Sequence, residues 1–412
     1  MMGSRTSPRR MVSLACAAAV TCMASVFAGP PPPAQKPPAS TPSAAAKSPA
    51  GRGHGASSAA DFDRLIKEAT AARHSERWED TIALYAKAVR LKPQFVEGYW
   101  YQGTAYYTLE KYERAEDAFR AVLRLAPNNG AAYAFLGLCE FALKDYARSV
   151  SDLLRSRTLG VGDAPELASV SRYHLAVLMA RAEQFEQALE TLGEFAATGD
   201  DNARVIEAMG IATLRMPLLP AELPGDRREM VLMAGRASYM MATRNTAAAE
   251  KAFDALAARY PETPNVHYAR AVFLLQEKAD SAIEEFKREL ELQPGHAASL
   301  MQIAFEYLNR GDAQTALAWA KQAVAAAPRE FPAHKALGQA LLETGDLDGA
   351  IAELTAGIEL APESPSLHFQ LARAYQRAGR LADATRERDE FTRLDRLART
   401  RRTGPQSVGG KK

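Results

Sequence analysis

The sequence predicts an all-α solenoid built from helix pairs rather than one closed core. A pattern of about thirty-four residues recurs through most of the 412-residue chain. Residues 331–364 show it plainly: Leu337-Gly338 and Leu341 on a first helix, a break at Gly345, Ala350 and Leu354 on a second helix, then Pro362. Closing prolines at Pro93, Pro127, Pro261, Pro294, Pro328 and Pro362 keep the register. A chain of this length otherwise implies two or three domains, but in a repeat array each unit packs only on its neighbours.

Residues 1–28 read as an export signal. Arg5, Arg9 and Arg10 precede an uncharged, Ala-rich run, and Val26-Phe27-Ala28 offers small residues at the two positions a signal peptidase reads, with cleavage before Gly29. The uncharged run is also just long enough to span a bilayer, so an uncleaved anchor is the competing reading. Residues 29–60, with Pro30 to Pro33, Pro37, Pro38, Pro42 and Pro49 among Ala, Ser and Gly, read as a disordered linker that cannot bury enough surface to fold.

Repeat units follow at 62–95, 96–129, 130–163, 169–202, 230–263, 264–296, 297–330, 331–364 and 365–398. Two places break the register. Leu159-Gly160-Val161-Gly162-Asp163 replaces a closing proline, and 203–229 holds one helix over 203–216 followed by Pro217, Pro220 and Pro224, which forbid a normal second helix. The leucines of this insert are expected to pack inward; a hinge or docking loop is the alternative. Asp226 and Glu229 are spaced as a capping box for the next helix. The expected organisation is therefore an N-terminal lobe (61–202), a degenerate repeat (203–229), a C-terminal lobe (230–398) and a disordered basic tail (399–412), with the last helix reaching about Arg399.

Local chemistry supports each unit. Gly103, Gly137, Ala176, Ala304 and Gly338 let paired helices approach, and Ala88, Ala115, Ala188, Ala316 and Ala350 do the same on second helices. Gly311, Gly345 and Gly379 stand where a left-handed residue ends a first helix. Asp145, Asp312 and Asp346 stand where a second helix wants an N-cap.

These positions together resemble the tetratricopeptide repeat family, whose pattern is a large residue, Leu-Gly, a large residue, Ala, an aromatic and Pro. Unit 96–129 carries Tyr99, Gln102-Gly103, Tyr106, Ala115, Phe119 and Pro127; unit 297–330 carries Ile303-Ala304, Tyr307, Gly311, Ala316 and Pro328. Nine units in register cover about four-fifths of the chain. The resemblance implies a right-handed superhelix of about ten repeats, of an exported bacterial type, whose first helices line a concave groove for protein or peptide partners. Some relatives clamp a terminal carboxylate with Lys and Asn; Ile66 and Thr70 stand at those positions of the first unit, so that clamp is absent there.

Composition narrows the function classes. Net charge is +2, and removing 1–28 leaves 48 basic and 49 acidic residues, which argues against nucleic acid as a partner. Without that segment Cys139 is the one cysteine, among Leu136, Leu138 and Phe141, and reads as a buried small residue. No metalloprotease, phosphate-loop or zinc spacing occurs, so no cofactor, metal or catalytic residue is expected and the chain does not read as an enzyme. His267, His334 and His368 occupy the slot of Tyr99 and Tyr133 and read as packing residues, too far apart to share a metal. Carboxylates such as Glu284, Glu285 and Glu289 read as helix-surface charges pairing with Lys287 or Arg288.

The groove expectation falls on first-helix residues beside the core stripe: Trp100, Thr104 and Tyr107; Ala134, Leu138 and Phe141; Tyr173 and Val177; Tyr268 and Val272; Met301, Phe305 and Leu308; Lys335 and Gln339; Phe369, Arg373 and Arg377. Exposed aromatic and Met side chains suit peptide capture, whereas packing between neighbouring first helices is the competing reading. The expected function is a non-catalytic scaffold of the periplasm or cell envelope. The alternative is a subunit of an envelope secretion, pilus or polysaccharide assembly machine tethered by its N-terminal segment.

Overall fold

The computed structural model describes residues 54–403. The expected signal, most of the linker (29–53) and the end of the tail (404–412) lie outside the described residues. Among the described residues there are nineteen α-helices and no strands. In chain order they are α1 (His54–His74), α2 (Trp78–Leu91), α3 (Val96–Thr108), α4 (Tyr112–Leu125), α5 (Gly130–Ala142), α6 (Tyr146–Leu159), α7 (Pro165–Arg181), α8 (Phe185–Ala197) and α9 (Ala203–Thr213). They continue as α10 (Arg228–Ala242), α11 (Thr246–Arg259), α12 (Val266–Leu274), α13 (Ala279–Leu292), α14 (Ala297–Asn309), α15 (Ala313–Ala326), α16 (Phe331–Thr344), α17 (Leu347–Leu360), α18 (Pro365–Arg377) and α19 (Leu381–Thr403). Nine antiparallel pairs and the unpaired α9 make this an all-α repeat solenoid, the predicted fold class.

The chain forms two compact units. One runs through Ala212 and takes back Met216–Pro224; the other comprises Thr213–Arg215 and everything from Gly225 onward. This corrects the expected boundary. The degenerate repeat is not a separate joiner: α9 up to Ala212 and the prolyl insert belong to the first unit. Leu219 and Leu223 are buried, and Glu222 accepts from the Leu219 N–H (2.8 Å) and pairs with Arg181. Three further expectations are corrected. α1 begins at His54, so 54–60 is helix rather than linker; Pro49 is the last proline before it, and Ala and Ser do not oppose a helix. α19 runs to Thr403 and takes in the start of the expected tail. Asp226 does not cap α10, because a short 3-10 turn (Gly225–Arg227) leads straight into the helix with Arg227 already helical at φ −91°, ψ −11°.

Each helix follows from its sequence. In α4, Ala115, Ala118, Phe119 and Val122 fall three or four apart and form the buried stripe. In the second helices Asp145, Asp312 and Asp346 accept from the backbone N–H of Arg148, Thr315 and Gly349 at 3.2, 3.0 and 2.9 Å, as the N-cap positions predict. α2, α4, α11, α13, α15 and α17 each end two residues before a closing proline.

The pairs close on small residues. A Cβ on Gly103 would lie 2.9 Å from the Phe119 ring, one on Gly137 2.8 Å from Leu153, and one on Gly338 2.6 Å from Leu354. The turn inside each pair needs one left-handed residue. Gly311, Gly345 and Gly379 supply it at φ 78°, 92° and 75°, whereas Glu76, Glu110, Lys144, Glu183 and Arg244 take the same conformation at φ 50–65°. A residue with a Cβ is strained there by about 1 kcal/mol relative to Gly.

Two outcomes are expected in urea unfolding followed by circular dichroism. Glu110→Gly stabilises by about 1 kcal/mol. Gly338→Val destabilises by about 2 kcal/mol, since Leu354 must leave its place.

Candidate protein-binding face

First helices of consecutive repeats lie side by side: α5 against α7 in the first unit, and α14 against α16 and α16 against α18 in the second. Each carries core residues on one side and a partly open strip on the other.

In the first unit the strip is aromatic. Tyr107 is half-buried, edge-on to Tyr112 (5.7 Å between centroids) and Phe135 (5.3 Å), and burial pushes its phenol well above the ordinary range. Phe141 is half-buried against His174 (4.6 Å) and Tyr146 (5.8 Å). Tyr173 is half-buried, its phenol pushed up to about 12 by burial and, secondarily, by Glu207. His174 beneath them is buried and bonded through Nδ1 to the Val170 carbonyl (2.8 Å), and burial lowers its pKa to about 4, so it is neutral at pH 7. Trp100 is a correction. It is 8% exposed, edge-on to Phe119 (5.6 Å) and Phe135 (5.5 Å), and so belongs to the core; Ala134, Leu138 and Val177 are buried too.

The second unit is more closed. Tyr268 is also a correction: it is buried against Phe286 (5.7 Å) and His296 (5.0 Å), with the Arg215 guanidinium 5.2 Å from its ring. Met301 and Phe305 are half-buried. Lys335 places its ammonium 5.4 Å from the Phe305 ring, and burial lowers its pKa. Phe369 is 45% exposed and touches Phe391 (5.4 Å). Arg373 bonds to Glu343 (2.8 Å) and Gln370 (2.9 Å); Arg377 bonds to the Leu342 carbonyl (2.5 Å) and lies 3.7 Å from Glu343. These two arginines are thus partly neutralised within the chain.

The carboxylates differ most from the sequence reading. Lys287 and Glu284 pair as expected (2.8 Å), but Glu285 and Glu289 are buried. Glu289 accepts from the backbone N–H of Asn265 (2.8 Å) and Tyr268 (3.2 Å) and from the Gln293 amide (2.7 Å), capping the start of α12 from the neighbouring helix. Glu285 meets His267 (2.7 Å), Arg270 (2.8 Å) and Arg288 (2.7 Å). In the first unit Glu140 is 1% exposed, and its Oε2 finds no donor around it. Burial holds the Glu140 carboxyl well above the ordinary carboxylate range, and the adjacent Asp152 charge adds to the shift. Glu140 therefore holds its proton to higher pH than an ordinary carboxyl. Arg148 contacts Glu116 (3.0 Å) and lies 3.9 Å from Glu140, while Arg120 pairs with Glu116. Cys139 is fully buried, and burial pushes its thiol up, consistent with packing rather than nucleophilic chemistry. Among the described residues no group of three His, Cys, Asp or Glu side chains could hold a metal ion, and no helix is long and apolar enough to cross a membrane.

Stacked helix pairs with partly open first-helix strips define an all-α repeat protein, and parts of the chain match known repeat models. Tetratricopeptide repeat models match residues 66–130, 102–158 and 338–379. The model of the Chs5p-Arf1p-binding proteins matches 229–358. No curated protein sequence matches the chain. Among solved structures, MamA 41-end from Desulfovibrio magneticus RS-1 is similar at 20% identity and TM-score 0.38, over 41% of this chain and 96% of that one. The APC/C hetero-tetramer Cut9-Hcn1 is similar at 11% identity and TM-score 0.38, over 81% of this chain and 87% of that one.

Two variants separate core from surface. Trp100→Ala costs about 3–5 kcal/mol in chemical unfolding, the cost of a core position. Glu140→Gln acts through pH. A raised folded-state carboxyl pKa means that stability is full below the ordinary carboxyl value and falls as pH rises above it. The variant is expected to melt higher than the unaltered protein at pH 9, with a smaller difference at pH 5.

Proposed function

We propose that the protein is a non-catalytic, exported scaffold that binds protein partners along the first-helix strip of its first unit. The observation that carries this reading is the sequence of half-buried aromatics on consecutive first helices, Tyr107 on α3, Phe141 on α5 and Tyr173 on α7. Each offers apolar area on a rigid element, which suits peptide capture at low entropic cost. The tetratricopeptide matches at 66–158 cover the first two of these helices, α3 and α5. The second unit has its own strip, with Met301, Phe305 and Phe369; Arg373 and Arg377 add little net charge there because Glu343 faces both.

Residues 1–28 support export to the periplasm or cell envelope, with the N-terminal segment as a membrane tether in the alternative reading of an assembly-machine subunit. N-terminal sequencing of the mature chain separates the two: Gly29 supports a released protein, and retained Met1 supports the tether.

The binding proposal is tested by affinity capture from native envelopes followed by mass spectrometry. A Tyr107→Ala, Phe141→Ala, Tyr173→Ala triple variant with retained helical signal is expected to lose at least tenfold of the partners the unaltered protein recovers. Recovery of the same partners in the same amounts would sink the assignment of this strip.

A further inference from the structure

Three histidines in the second unit share one arrangement. His267 places Nδ1 2.7 Å from the Glu285 carboxylate and Nε2 2.9 Å from the Pro261 carbonyl. His334 does the same with Glu353 (2.7 Å) and Pro328 (3.0 Å), and His368 with Glu387 (2.7 Å) and Pro362 (3.0 Å). In each case the proline closes one repeat, the histidine begins the next, and the glutamate lies on that repeat's second helix. One ring therefore ties three segments across the joint between successive repeats. All three histidines are buried.

Both ring nitrogens face acceptors. A neutral imidazole has one N–H, so it would set a lone pair against a carbonyl or carboxylate oxygen at under 3.1 Å; the imidazolium donates to both. The intervening repeat supplies a comparison. There Leu300 takes the histidine position and Trp319 the glutamate position, and the two pack in one apolar cluster. Histidine and glutamate are absent together, as expected if they act as a pair.

We propose that these His–Glu–carbonyl joints make the second unit a pH-responsive element, tightened when the three rings are imidazolium and loosened between repeats when they lose their protons. Charged groups face each ring. At His267 they are Glu285 and Glu289, with Arg270 and Arg288 held on Glu285 and Asp254 on Arg270. At His334 the facing charge is Glu353. At His368 they are Glu387, with Arg386 3.5 Å from it, and Glu390, itself paired with Arg393. The Glu285 hydrogen bond raises the His267 pKa above the ordinary value despite burial. A raised histidine pKa contributes stability that is fully present below the unfolded value and is lost as pH rises through the folded one.

The test uses the full chain. Long-range proton–nitrogen NMR at pH 7.5 reads the state of each ring directly. Three rings protonated on both nitrogens are expected; three neutral rings would overturn the proposal. Hydrogen exchange from pH 5.5 to 8.5, corrected for intrinsic rates, reads the consequence. Protection at the starts of α12, α16 and α18 is expected to fall at least tenfold more than at the start of α14, where Leu300 and Trp319 replace the pair and the N-cap His296, an acceptor for the Ser299 N–H only while neutral, acts in the opposite sense as pH rises. A uniform change across all four would overturn the proposal. Glu285→Gln, Glu353→Gln and Glu387→Gln together are expected to abolish the excess loss; its persistence would assign it to other groups. If this variant fails to fold, the NMR measurement on the unaltered protein still decides.

Discussion

The close approach of the two helices within each repeat is the constraint on which the rest of this structure depends. A large side chain from the second helix lies directly over a residue without a Cβ on the first: Phe119 over Gly103, Leu153 over Gly137, Leu354 over Gly338. That distance sets how far apart the next pair stands. It also sets which first-helix side chains are covered by a neighbour. Tyr107 and Trp100 sit two turns apart on α3, yet Trp100 falls beneath Phe119 and Phe135 and leaves the surface.

Turns within the pairs show the same geometry met by different chemistry. The second unit ends three first helices with glycine at positive φ, while the first unit places Glu76, Glu110, Lys144 and Glu183 there. The array tolerates the strained residues because the pair packing on either side over-determines the turn. The missing proline after α6 has a comparable substitute: Gly160 and Gly162 at φ 75° and 66° redirect the chain before Pro165 opens α7.

Part of the charge is handled inside the array. Glu289 caps α12, Glu285 gathers a histidine and two arginines, and Glu140 is held as an acid beside Asp152. Buried carboxylates of this kind are costly unless each oxygen is matched by a proton or a donor. The strip in the first unit offers rings, whereas the second unit uses much of its polar chemistry to join repeats. The His–Glu–carbonyl joints and the partly neutralised Arg373 and Arg377 have this in common: each side chain finds its partner within the chain.

Much of the architecture was legible in the sequence because it depends on local chemistry. The period, the glycines at the turns, the caps Asp145, Asp312 and Asp346 and the closing prolines each act within a few residues, and each stands where the spacing predicted. Helical periodicity also reported which residues share a face. It could not report which neighbour covers that face, since the covering residue arrives from another repeat, as Phe135 does for Trp100 and Phe286 for Tyr268. The buried glutamates were read as surface charges for the same reason: their donors, Asn265, Tyr268 and His267, lie about twenty residues away on the preceding helix or its lead-in. By itself the sequence determined an array of helix pairs and its register. Which aromatics stay open, and which charges are enclosed, was decided only when successive pairs stacked, because burial depends on the neighbour and not on the helix that carries the residue.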